Sequence, residues 1–68
     1  QTGRLMELGK FNNKVVRITD IDGQTFEGIC LYEDKDVYDE EYDGLSVKLG
    51  TRWTKLFEDE IKEVEIIA

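Results

Sequence analysis

The stretch "DIDGQTFEGIC", Asp20 to Cys30, decides how the chain reads. Asp22-Gly23 sits between two runs of β-formers. Both central positions of a tight hairpin turn take φ > 0, and Asp and Gly tolerate it. The pair therefore predicts a two-residue hairpin turn. Gly28 follows five residues later, inside the second β-run. A glycine in mid-strand marks a sharp bend or a close backbone approach. The stretch reads as a hairpin whose second strand is bent.

The neighbouring segments extend this pattern. In 13–21 Val16 and Ile18 alternate with Val15, Arg17 and Thr19, predicting a strand with one buried face. Over 24–33 Phe26, Gly28, Cys30 and Tyr32 share one face, and Thr25, Glu27, Ile29 and Leu31 the other. Both faces turn apolar after Gly28. A third strand is predicted at 44–50, with Leu45, Val47 and Leu49 inward and Ser46 and Lys48 outward. Gly50-Thr51 turns the chain, and a fourth strand follows at 52–57. Glu58 to Glu60 predicts one tight helical turn. A fifth strand at 61–67 has Val64 and Ile66 on its apolar face. Ahead of all this, Leu5 and Leu8 predict a helical turn over 4–8, ended by Gly9. Five short strands with a bent second one predict a mainly β fold: a small, strongly twisted antiparallel barrel of the Sm-like or SH3-like kind.

Composition bounds the function classes. The 68 residues have room for a single domain, with residues 1–5 reading as an expression remnant ahead of Met6. An apolar content of 40% is too high for a disordered chain, despite 37% charged residues. Apolar runs fall short of a membrane span, a secretory leader is not apparent, and a cytoplasmic location is expected. The single cysteine, Cys30, gives no internal disulfide framework and reads as a buried structural thiol. Without histidine there is no His-based triad or His metal site. No enzyme activity and no cofactor are expected.

The charge is concentrated. Segment 33–44, "EDKDVYDEEYDG", holds seven acids and one lysine, a net of −6; the rest of the chain totals −1 of the overall −7. This acidic loop has three readings. Its carboxylates at 34, 36, 39, 40, 41 and 43 are oxygen ligands for a hard cation, but the EF-hand order and its glycine are missing, so no metal site is assigned. A solvated, mobile loop is the plainest reading. Contact with a basic protein partner is the third, with Asp36, Tyr38, Glu40 and Tyr42 as the binding loop and the tyrosines as anchors.

The segment from Val16-Arg17-Ile18 through Asp22-Gly23 and Gly28 to Asp34 resembles the first motif of the Sm/LSm-like family. "LFEDEIKEVEII" resembles its second motif and closing strand. The likeness spans about residues 5 to 67 and implies a small barrel that assembles into rings and binds single-stranded RNA. Asp34 matches the family's pocket Asp. Tyr38 stands where the family has Asn, and Phe57-Glu58 stand where it has Arg-Gly. The resemblance thus implies a modified RNA pocket of Asp34, Tyr38, Phe57 and Trp53. Phe57 reads either as a stacking platform or as core. Trp53 is either exposed, for an interface or a base, or packed inside after a register shift.

The resemblance also implies that the fourth strand pairs with the fifth strand of a neighbouring copy. Here a basic strand (Arg52, Lys55) would meet an acidic one carrying Lys62, Glu63 and Glu65. Ring assembly and a monomer or dimer both remain open. The leading expectation is a non-enzymatic assembly or protein-interaction module. It would work by edge-strand pairing, with the acidic loop presented to a basic partner. RNA binding through the modified pocket is the alternative.

Overall fold

The computed structural model describes residues 7–68. The expectations for residues 1–5 and for the start of the helical turn lie outside the described residues. The first element is a 3₁₀ turn, Leu8–Phe11, with Gly9 inside it instead of ending it. Residues three apart eclipse in a 3₁₀ turn. Leu8 and Phe11 therefore point the same way, and both are buried. Phe11 supplies the second apolar anchor of this turn.

Five strands follow: β1 (Val15–Asp20), β2 (Thr25–Glu33), β3 (Gly44–Leu49), β4 (Arg52–Phe57) and β5 (Ile61–Ile66). All ladders are antiparallel, in the order β4-β3-β2-β1-β5. The sheet does not close. β4 and β5 are its two edges and share no ladder, so the five-stranded expectation holds while a closed barrel is not seen. A second 3₁₀ turn, Glu58–Glu60, joins these edge strands in sequence, where the tight acidic turn was predicted. Its Glu60 carboxylate accepts the Phe57 N–H at 2.9 Å.

The opening stretch is a hairpin with a bent second strand, but its turn has three residues, not two. Gly23 N–H donates to Asp20 O, and Asp20 N–H to Gln24 O. Gly23 alone in the turn has positive φ, at 88°. This is the three-residue loop in which a glycine follows a type I turn. The deciding residue is Asp20, whose Oδ1 accepts the N–H groups of both Asp22 and Gln24 at 2.9 Å. That side chain satisfies the backbone locally, which a two-residue turn would not need.

Gly28 is where β2 changes company. Residues 25–29 pair with β1, and residues 30–33 pair with β3. A Cβ at Gly28 would fall onto the carbonyl oxygen of Lys48 in β3. The glycine permits that close approach, and the sheet curls around it. Consequently the β1–β2 turn faces β4 across a cleft of about 240 Å³, walled by Ile21, Phe26, Thr54 and Leu56.

The core follows the alternation. Val16, Ile18, Cys30, Leu45, Val47, Leu56 and Ile61 are buried with Leu8 and Phe11. Cys30 donates its thiol to Phe11 O at 2.9 Å, and burial raises its pKa. Ser46 departs from expectation. It lies on the outer face yet is only 7% exposed, because the register sets it between Leu31 and Lys55.

Candidate functional site

Opposed residues in antiparallel ladders share a face. Leu31 opposes Ser46, which opposes Lys55. Glu33, Ser46, Lys55 and Phe57 therefore rise on the outer face of three adjacent strands, at the root of the acidic loop. There Lys55 gathers its surroundings. Its Nζ lies 2.8 Å from Glu33 Oε1 and 3.7 Å from Glu40 Oε2. The same ammonium stands 4.6 Å from the centre of the Phe57 ring and 5.4 Å from that of Tyr38. Aromatic faces attract a cation at such distances. Ser46 Oγ donates to the second Glu33 oxygen at 2.5 Å.

These contacts set the local ionisation. Burial pushes the Glu33 carboxyl up, but hydrogen bonds from Lys55 and Ser46 more than offset it, and the net shift is downward. The hydrogen bond to Glu33 raises the Lys55 pKa against the opposing effect of burial. Both shifts favour the charged pair.

The loop is exposed but hydrogen-bonded within itself. Asp34 Oδ1 accepts the N–H of Asp36 at 2.7 Å, and Asp43 Oδ1 that of Lys35 at 2.9 Å. Tyr38 N–H donates to Asp34 O, and Glu40 N–H to Lys35 O. Tyr32 donates its hydroxyl to Asp34 Oδ2 at 3.3 Å. Burial, followed by the charges of Asp43 and Asp34, pushes the Tyr32 phenol up to about 12. Among the described residues, no group of three or more carboxylates or thiols is placed to hold a metal ion.

The proposed site residues thus separate. Tyr38, Phe57 and Glu40 come together around Lys55. Asp34 joins them only through its backbone carbonyl, which accepts the Tyr38 N–H, while its side chain accepts from Tyr32. Phe57 is half-buried, so it is neither a free platform nor part of the buried core. Asp36 lies exposed in the loop, away from the lysine's partners. Tyr42 lines a notch of about 290 Å³ with Glu40, Glu41, Phe57, Asp59 and Glu60. Trp53 stays apart from the cluster. It opposes Lys48 near the far end of β4 and is 48% exposed, which resolves its two readings in favour of the surface.

Sequence reasoning overlooked Lys55 as the organising group. The Gly50-Thr51 turn alone fixes its pairing with Ser46, so that half of the signal was legible. Its second partner, Glu33, lies across the long loop, and no local rule sets that register.

The outer face also carries apolar side chains that the alternation flagged but did not explain. Ile29 and Leu31 are 37% and 42% exposed there, on the same side as Trp53. At the other edge Ile66, expected on the apolar face of the last strand, is 48% exposed. It opposes buried Val16, but among the described residues no strand pairs with the free side of β5.

Compared with family models, curated proteins and solved structures, the chain matches none. Among the described residues no helix is long and apolar enough to cross a membrane.

Proposed function

We propose that the chain is a non-enzymatic assembly and protein-interaction module of Sm-like architecture. Copies join by pairing β4 of one with β5 of the next, and the acidic loop is presented to a basic protein partner. The observation that carries this reading is the open sheet with two unpaired edges. An edge strand leaves a row of N–H and C=O groups without partners. Each edge here also bears an exposed apolar side chain, Trp53 on β4 and Ile66 on β5. Arg52 on the first edge complements Glu63 on the second. Because the two edges differ, their contact is heterologous, and repeating it closes a ring or extends a filament.

The test is the native mass in solution, by light scattering behind a sizing column. A closed ring of several subunits, lost on Trp53→Glu, supports the reading. A monomer at all concentrations removes edge pairing and leaves only the loop as a contact surface.

One observation favours RNA as a second reading. Trp53 is exposed with Lys48 directly opposite, an aromatic and a cation that suit base stacking and a phosphate. Against it stands the net charge of −7, which repels a polyanion at long range. Tyr38 and Phe57 are, in addition, already engaged by Lys55. RNA binding would weaken steeply with salt and be lost on Lys48→Glu, while ring assembly would survive that change.

A further inference from the structure

The notch beside Lys55 has a chemistry of its own. Two aromatic residues, Tyr42 and Phe57, share its walls with Glu40, Glu41, Asp59 and Glu60. Among the described residues no basic one lines it. At about 290 Å³ it falls just below the range of pockets that hold whole small molecules, and it suits one side chain. Aromatic rings and carboxylates on one wall select for an organic cation: the ring faces attract the charge and the acids pair with it.

A second observation comes from the chain itself. Phe57 already holds an ammonium, that of Lys55 at 4.6 Å, with Glu40 on the same group. Phe57 and Glu40 therefore border two adjoining places. One is filled by the protein's own lysine and the other is open. The seated lysine shows that Phe57 and Glu40 accept an ammonium.

We propose that the Tyr42–Phe57 notch is a docking site for a single cationic side chain, a lysine or arginine presented by a protein partner. This rests on the reading of the acidic loop as a partner surface and narrows it to one place. Lys55 pairs with Glu40 and stands over Phe57, so two of the residues lining the notch are held before the partner arrives. Little ordering then opposes binding. The remaining acids of the loop attract a basic segment at long range, and the notch fixes where one of its side chains sits.

The experiment is a titration of isotope-labelled full chain with Nα-acetyl-lysine amide, followed through the ring resonances of Tyr42 and Phe57. A parallel titration uses Nα-acetyl-norleucine amide, whose side chain is apolar. One side chain on a half-exposed site should bind with a dissociation constant on the order of millimolar. The lysine probe should shift both rings and the norleucine probe neither. Tyr42→Leu and Asp59→Asn, both at exposed positions, should each weaken the lysine response by roughly fivefold or more. Equal shifts from the two probes, shifts centred on Asp36 and Asp39, or no shift at all would overturn the proposal. Ring assembly is read separately by native mass. A ring without lysine binding removes the notch alone, and lysine binding by a monomer removes edge pairing alone.

Discussion

Two regions of this molecule are held by different physics. Around Gly28 the chain is fixed by burial and close backbone approach: Val16, Ile18, Leu45 and Val47 are fully buried, and β2 passes against the Lys48 carbonyl. Around Lys55 it is fixed by charge. One ammonium gathers two carboxylates and two aromatic rings, and the loop closes over it through its own hydrogen bonds. The first region is dry and tolerates almost no change of shape. The second is half-wet, depends on pH, and lies beside the surface proposed for a partner. The stable part of the fold and the proposed recognition surface are thus neighbours with separable energetics.

The separation is most sharply broken from the packed side. Gly28→Val places a branched side chain on the Lys48 carbonyl and should cost about 4 kcal/mol, enough to unfold much of a domain this small. Denaturant titration checks it, and a folded, near-native variant would show that β2 does not need its close approach. Leu45→Ala, at a fully buried position, should follow with a loss of about 3 kcal/mol. In both variants the contacts around Lys55 should vanish only with global unfolding.

The same division explains what the sequence made legible. Apolar alternation located all five strands, and the two glycines of the opening stretch marked a hairpin and a bend. Alternation also set Trp53 and Lys55 opposite Leu56, so burial of Leu56 leaves Trp53 outside. The turn at Asp22-Gly23 was misread because its length is set by a side chain, Asp20, capping two N–H groups, and a dipeptide signal does not include that. Closure was expected from strand number, but closure depends on whether the two end strands meet, which no local pattern encodes. The lysine site was hidden for a related reason. Glu33 and Lys55 are brought together by the register of β2 on β3, and the ten-residue stretch 34–43 between those strands leaves that register free in the sequence.

Smaller effects come from the charged side. Lys55→Met should cost about 1–2 kcal/mol near neutral pH, since a charge-assisted hydrogen bond is lost from a partly exposed site. Hydrogen exchange at Tyr38 and Glu40 should speed up, while exchange in β1 and β2 stays slow. The pH dependence has a definite sign. Glu33 is lowered from its ordinary 4.5, so its contribution is present above that value and disappears as pH falls through the lower folded one. The gap between wild type and Lys55→Met should therefore be full at neutrality and close in acid. In the variant, burial acts on Glu33 without the lysine, so its carboxyl should titrate higher than in the wild type. A gap of constant size at all pH values would show that Lys55 acts through its aliphatic stem alone.

A weaker probe of the same region lies at alkaline pH. Tyr32 keeps its proton to about 12 in the folded chain, against an ordinary value of 10.0. A raised acid favours folding while the unfolded phenol is still neutral. Its contribution is therefore complete below pH 10 and drains away as pH climbs toward 12. The raised Lys55 drains in the same direction above its ordinary 10.5. Tyr32→Phe should flatten the alkaline decline without removing it, and the double change with Lys55→Met should flatten it further. Ultraviolet titration, compared with Tyr32→Phe, would show the Tyr32 phenol ionising late and acquiring an ordinary pKa on unfolding.

The smallest effect is expected at the shortest ion pair. Arg17 reaches Glu27 at 2.6 Å and Glu65 at 3.0 Å, bridging β2 and β5 across β1. All three side chains are more than 40% exposed, so water and salt compete with each contact. Arg17→Gln should leave the denaturation midpoint almost unmoved. Lys55 also has two carboxylate partners, yet its replacement should be felt, because its side chain and that of Glu33 are each under a quarter exposed. The contrast isolates exposure as the variable that decides whether a charge organises this fold or only decorates it. An Arg17 variant as damaged as Lys55→Met would mean instead that the cross-strand bridge holds β5 to the sheet, and that this edge is less ready for a neighbour than β4.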